Sequence, residues 1–158
     1  MKKFLLIITM LFSVSSLSAM NEKHIAPNFE AVTLSGKKVS LEQFKGKKVV
    51  WLTFWATWCP YCTKEIPALK NLHKKFADKV EILAINIDVR DSIEKAKDYA
   101  FEHDLPYDII FSNEITRLYG VRGTPTQVVI DINGNIAYIG TKVPQDITEE
   151  DIDKLLIK

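Results

Sequence analysis

Thr53-Phe54-Trp55-Ala56-Thr57-Trp58-Cys59-Pro60-Tyr61-Cys62-Thr63-Lys64-Glu65 is entered from an apolar, β-prone run, Val49 to Phe54, and is left by an amphipathic helical pattern. Cys59 and Cys62 are the only cysteines in the chain. They stand three apart at a strand-to-helix junction, with a proline after the first. A cysteine at a helix N-terminus has free N–H groups and the positive end of the helix dipole beside it, and both favour its thiolate. The second cysteine, one turn on, is near enough to close a ring or to attack a mixed disulfide. This arrangement predicts a dithiol switch.

Two plainer readings compete with it. A C-x-x-C pair is half of a zinc site, but structural zinc takes about four Cys or His ligands. The histidines are His24, His73 and His103, and none is spaced as a second ligand pair. No metal is therefore expected. A purely structural disulfide is the other reading, since exported proteins use them. Here the closed loop would be too short to constrain the unfolded chain much.

The chain has 158 residues, enough for one domain with a core of its own. With 47% hydrophobic and 26% charged residues it has the composition of a globular protein. A formal charge of +1 argues against nucleic-acid binding. The lysine clusters Lys37-Lys38, Lys45 to Lys48 and Lys74-Lys75 fall in turns or on a polar helix face, and solvated surface accounts for them.

The N-terminus is expected to lie outside the fold. Lys2-Lys3 form a basic start, Phe4 to Phe12 is nearly all apolar, and Ser13 to Ala19 is small and hydroxyl-rich. This is the pattern of a secretory signal peptide over residues 1–19, with cleavage after Ala19 or Ser18. The apolar run is short for a membrane span, so an uncleaved anchor is the second choice. No cysteine is present there for lipid attachment. Without Lys2 and Lys3, 19 of the 21 basic residues remain against 20 acidic ones, close to neutrality. Residues 20–158 are then the folded domain. An exported dithiol meets oxidising surroundings and needs a dedicated partner to set its redox state.

Alternation over Phe29, Ala31, Val32 and Leu34, a turn at Ser35-Gly36-Lys37 and a return through Val39 predict a hairpin. Ser40 to Phe44 has a capping-box start for one helical turn, broken at Gly46. Val49 to Phe54 is a continuous apolar run, hence a buried central strand. The helix after Cys59 runs to about Phe76 with Ile66, Leu69, Leu72, His73 and Phe76 on one face, and Pro67 should kink it. Val80 to Ile87 is a second buried strand. Ser92 caps a helix to about Glu102, with Ile93, Ala96, Ala100 and Phe101 expected inward. A strand at Asp108 to Phe111 and a helix at Ile115 to Tyr119, ended by Gly120, follow. Gln127 to Ile130 and Ile136 to Thr141 are strands joined by an Asn133-Gly134 hairpin turn. Thr148 to Glu150 opens a last helix that buries Ile152, Leu155 and Leu156. The β-α-β units imply parallel pairing and the final hairpin adds antiparallel strands. The fold class is therefore α/β, a mixed central sheet flanked by helices with an N-terminal β-hairpin. There is no repeat or linker.

In this order the chain resembles the thioredoxin fold, and more specifically the exported TlpA/ResA-like thiol-disulfide oxidoreductases. The match is carried by Ala26-Pro27-Asn28-Phe29, by Phe54 to Cys62, by Glu65-Ile66-Pro67 and by Gly123-Thr124-Pro125-Thr126, and it covers roughly Ala26 to Leu156. The resemblance implies that Cys59 is the exposed attacking cysteine and Cys62 the resolving one. It implies a cis bond before Pro125, opposite the cysteines, a form that costs X-Pro bonds only about 0.5–1 kcal/mol over trans. The backbone of Thr124 would then be open to an extended substrate segment. Trp58, preceding the dithiol, is expected to cover it, whereas Trp51 and Trp55 are expected in the core. Trp58, Pro60, Tyr61, Thr124 and Pro125 are the residues expected around a substrate. The Pro60-Tyr61 dipeptide resembles that of glutaredoxins and departs from the thioredoxin pair, which leaves the direction of electron flow open.

Glu65 is the third candidate catalytic residue. Thioredoxins proper carry an aspartate on the strand before the active site, and that place here is Thr53, which does not titrate. TlpA/ResA-type proteins resemble this chain in having a glutamate three residues past the second cysteine. One helical turn separates the two, so Glu65 is expected beneath Cys62, partly buried and exchanging protons with the thiol. A solvated first-turn glutamate is the alternative.

The function expected from all this is that of a dithiol enzyme in the periplasm, or otherwise exported, reducing disulfides of other exported proteins, apocytochromes before haem attachment among them. By the same resemblance a membrane thiol transporter re-reduces it. It is expected to be a monomer, with no cofactor beyond the Cys59–Cys62 disulfide. A disulfide-forming oxidant or isomerase is the alternative. A peroxidase is a further class, because Ala26-Pro27-Asn28-Phe29 also resembles the opening of peroxiredoxins. Those carry a threonine three residues before the reactive cysteine, where this chain has Ala56. A redox-inert binding module of the same fold is the last class.

Overall fold

The computed structural model describes residues 24–157. The expected signal segment, residues 1–19, lies outside them. At the centre is β3 (Val49–Trp55), buried at every position. A strand covered on both faces needs no alternation of polar residues, which is why its sequence is one apolar run. It pairs in parallel with β4 (Val80–Asn86), which pairs in parallel with β5 (Asp108–Phe111). On its other side β3 pairs antiparallel with β6 (Thr126–Ile130), which pairs antiparallel with β7 (Ile136–Gly140). The sheet order is β5-β4-β3-β6-β7. A separate hairpin, β1 (Glu30–Val32) and β2 (Lys38–Ser40), precedes it and is joined to β5 through Leu34 N–H to the Ile109 carbonyl.

The two faces of β3 have different neighbours. Thr53 and Trp55 line a small cavity with residues of α1 (Pro60–Phe76) and with Tyr99 of α2 (Ile93–Glu102). Trp51, on the same face, lines a cleft with Ile152 and Leu155 of α4 (Glu149–Leu155). Phe54, on the opposite face, stacks with Tyr119 at the end of α3 (Asn113–Leu118), and Phe29 meets the same ring. The helices thus cover both sides, and the mixed sheet and N-terminal hairpin are as expected.

Local signals set the boundaries. Ser40 and Gln43 form the expected capping box on a single 3-10 turn, Leu41–Phe44. Gly46 follows it at φ 73°, a left-handed conformation that glycine adopts without a Cβ penalty. The helix α1 continues through Pro67, which is exposed. In α2 the structure corrects the expected inner face. Ile93 is 43% and Phe101 88% exposed, while Ala96 is buried and Tyr99 and Ala100 pack on the core. At 100° per residue, Phe101 stands about 140° from Ala96, so both cannot face the sheet. In α4, Ile152 is buried but Leu155 and Leu156 are only half-buried.

Candidate active site

Cys59 is the N-cap of α1 and Pro60 the first helical residue. Proline suits that place because the missing N–H would have had no intrahelical partner. Cys59 has extended backbone angles, which turn its side chain back over the helix start, and its Sγ accepts the Cys62 N–H at 3.1 Å. The two cysteines are joined as a disulfide with their Cα atoms 5.3 Å apart. When that bond is reduced, the same N–H points at the Cys59 sulfur, and a hydrogen bond to a thiolate is stronger than one to a thiol. The helix start therefore favours ionisation of Cys59 over Cys62.

The structure corrects one expectation here. Cys59 is not exposed in the disulfide form: its accessibility is 3%, against 6% for Cys62. The bond to Cys62 draws the sulfur down onto the helix end, and little of it faces outward. The rim is open instead, with Pro60 exposed, Trp58 42% and Tyr61 65% accessible. Trp58 is anchored sideways: its indole N–H donates to the Val89 carbonyl at 2.7 Å, and the Arg90 guanidinium lies 4.7 Å from its ring. Trp51 and Trp55 are in the core.

Below the disulfide is a cavity of about 20 Å³, room for a single water. Its lining brings together Cys62, Glu65, Thr53, Trp55, Tyr99 and Pro125. Glu65 is half-buried, and its Oε2 accepts the backbone N–H of Val143, in the segment between β7 and α4. The carboxylate is thus held inside and does not extend as a solvated first-turn side chain. The Thr124–Pro125 bond is cis; Pro125 is buried and Thr124 half-buried. Tyr99 bonds the Thr63 hydroxyl at 2.8 Å, and burial raises its phenol above the ordinary range although that bond opposes it.

Asp91 has a part that motif spacing did not reveal. Its carboxylate accepts the Thr57 N–H and hydroxyl and the Asn86 amide, each at 2.8 Å, and the Ser92 N–H at 3.2 Å. Burial works against its charge, but these hydrogen bonds outweigh it and hold the carboxyl below its ordinary range. Asp91 thereby ties the loop two residues before Cys59 to the end of β4 and the start of α2. An aspartate immediately before the Ser92 N-cap was the only signal the sequence offered. His103 is half-buried with its ring 4.2 Å from that of Tyr99. Among the described residues no three His, Cys, Asp or Glu side chains converge as a metal site.

The profile of the AhpC/TSA family matches residues 23–139. The chain belongs to this family. The thioredoxin-like protein YneN of Bacillus subtilis is 37% identical over 139 residues, 85% of this chain and 81% of its own length. The thiol-disulfide oxidoreductase ResA of Bacillus thuringiensis is 37% identical over 136 residues, 84% of this chain and 75% of its own. Among solved structures, a putative thiol:disulfide interchange protein DsbE from Chlorobium tepidum superposes with a TM-score of 0.74 at 28% identity, covering 85% of this chain and 96% of that one. The fold is that of the thioredoxin-like proteins, and with the bonded Cys59–Cys62 pair the protein is a thiol-disulfide oxidoreductase.

Proposed function

We propose that the protein is an exported reductase of disulfides in other exported proteins. The Cys59 thiolate attacks one sulfur of a client disulfide, a Cys59–client bond forms, and the client's other sulfur leaves as a thiolate. Cys62 gives its proton to Glu65, directly or through a water in their shared cavity, and attacks the Cys59 sulfur. The client leaves with both sulfurs reduced, and two electrons have passed from the dithiol, which is now the Cys59–Cys62 disulfide. A second dithiol, that of a membrane thiol transporter, restores it. Trp58, Pro60, Tyr61 and the Thr124-Pro125 pair form the rim against which the client lies.

The observation that carries this reading is the pairing of a helix-start sulfur on an N–H with a second cysteine and a carboxylate on one cavity. Export rests on the pattern of residues 1–19; no helix among the described residues is long and apolar enough to cross a membrane. N-terminal sequencing of the secreted form should place the first residue just after Ser18 or Ala19.

The deciding experiment is the reduction potential together with insulin reduction. A value near about −270 mV with rapid insulin reduction supports the reductase, and one near about −120 mV makes the protein an oxidant. The oxidant or isomerase is kept as the second reading because a putative protein disulfide isomerase from Bacteroides thetaiotaomicron superposes at TM-score 0.68 and 29% identity. Peroxidase activity is expected to be negligible. Ala56 stands three residues before Cys59, and the Thr57 hydroxyl is held by Asp91.

A further inference from the structure

The rim of the disulfide carries three cations. Arg90 stacks on Trp58 at 4.7 Å, and Lys64 lies 5.1 Å from the Tyr61 ring. Arg122 is exposed in the loop that leads to Pro125, which shares the cavity with Cys62. The chain has only three arginines, and two of them flank the dithiol. Some surface lysines have carboxylate partners, Lys37, Lys48 and Lys79 among them, while others such as Lys74 and Lys95 have none within 4.0 Å among the described residues. Arg90, Lys64 and Arg122 have none within 4.0 Å among the described residues. Stacking on an aromatic face holds a cation in place while leaving its N–H groups free to take an anion.

Backbone geometry makes Arg90 more than a chance surface charge. It sits at φ 55°, a left-handed conformation that disfavours residues with a long side chain, within a loop where Asp88 is also at φ 52°. Non-glycine residues persist in such conformations where the surrounding structure holds them, and these places cluster at functional sites. The neighbouring carboxylates keep their charge but are turned to other donors. The Asp91 oxygens are occupied by four hydrogen bonds, and Glu65 is bonded inside. Glu94 is hydrogen-bonded at the start of α2, by its own N–H and by Ser92, and Asp88 is an exposed carboxylate of the loop.

We propose that this rim docks an acidic stretch of the client next to the client's own disulfide. The proposal rests on the thiol-exchange reading and adds the class of substrate. Arg90, Lys64 and Arg122 meet its carboxylates beside the aromatic surfaces of Trp58 and Tyr61.

The test uses the reduced full chain and three disulfide-bridged peptides that differ only in having Asp, Asn or Lys on both sides of the cystine. Rates of dithiol oxidation are followed by tryptophan fluorescence at about 20 mM and about 300 mM salt. The acidic peptide should react about tenfold faster than the basic one at low salt, and the gap should shrink at high salt. The pair Arg90→Glu and Arg122→Glu should reverse the order, with Arg90→Gln as the milder variant should the pair misfold. Lys154→Glu, the same change of charge on the far helix α4, should leave it intact. Equal rates for all three peptides at low salt, or a loss of preference with Lys154→Glu as large as with the arginine variants, overturns acidic docking while thiol exchange stands. If none of the peptides is reduced, the thiol-exchange reading falls and the docking surface with it.

Discussion

In the proposed cycle two side chains divide the chemistry. Cys59 is to attack and Cys62 to resolve, so removing Cys62 should stop the cycle half-way. A Cys62→Ala protein should hold clients on Cys59 as mixed disulfides that run as larger species on non-reducing gels and disappear with dithiothreitol; an absence of such species argues against Cys59 as the attacking group. The same proposal gives Glu65 a part in the second half only. Glu65→Gln keeps the shape and the Val143 N–H contact but cannot take a proton. It should slow release of reduced client about tenfold or more while formation of the mixed disulfide is little changed. Equal slowing of both steps would mean Glu65 serves only to position the helix. The placement was partly legible: spacing put Glu65 a turn past Cys62, the resemblance put Pro125 opposite the cysteines, and Cys62, Glu65 and Pro125 line one cavity. The covering of Cys59 was not, because it depends on how the disulfide settles on the helix end. Nor was Tyr99, whose inward turn becomes evident only once Ala96 is known to be the buried residue of α2.

Between elements, the active-site loop is held by the segment between β4 and α2. Asp91 fixes Thr57, and Val89 fixes Trp58. Asp91→Ala would leave the Thr57 N–H and the Asn86 amide without an acceptor, at a cost of about 1–3 kcal/mol. It should also free Trp58, seen as a fluorescence shift, and slow thiol exchange. Asp91→Asn should restore part of this, since its side-chain oxygen still accepts. The pH dependence follows from the sign of the shift. The folded-state carboxyl of Asp91 lies below its ordinary range, so its stabilisation is complete above the unfolded value of about 4 and is lost as the pH falls through the lower folded value. Trp58 fluorescence should therefore be flat from neutrality to about pH 4 and change below it. A change centred near neutrality would point to another group. Asp91 escaped the sequence reading because its partners, Asn86 and Thr57, stand 5 and 34 residues away in the chain.

At the scale of the molecule, the sheet was readable because Val49 to Phe54 and Val80 to Ile87 are short, mostly apolar and rich in β-branched residues, the latter broken only by Glu81 and Asn86, as strands covered on both faces are. The turn glycines Gly36, Gly46, Gly120 and Gly134 marked the joints, and all four have positive φ. Amphipathic helices were harder, since a two-residue error in the chosen face, as at Phe101, costs nothing in the pattern. The core the strands form should respond as a close-packed interior does. Ile85 is wholly buried in β4, beside β3. Ile85→Ala should cost about 2–5 kcal/mol and lower the denaturant midpoint with an unchanged m-value. The proposed cycle depends on one sulfur at a helix start being held as an anion once the disulfide is reduced. Alkylation of the reduced protein by iodoacetamide across pH, with the modified cysteine identified by peptide mass, measures that directly. Cys59 should be modified alone, with a midpoint below the ordinary thiol value of about 8.5. Modification of Cys62 first, or neither cysteine reacting at neutral pH, would contradict the account.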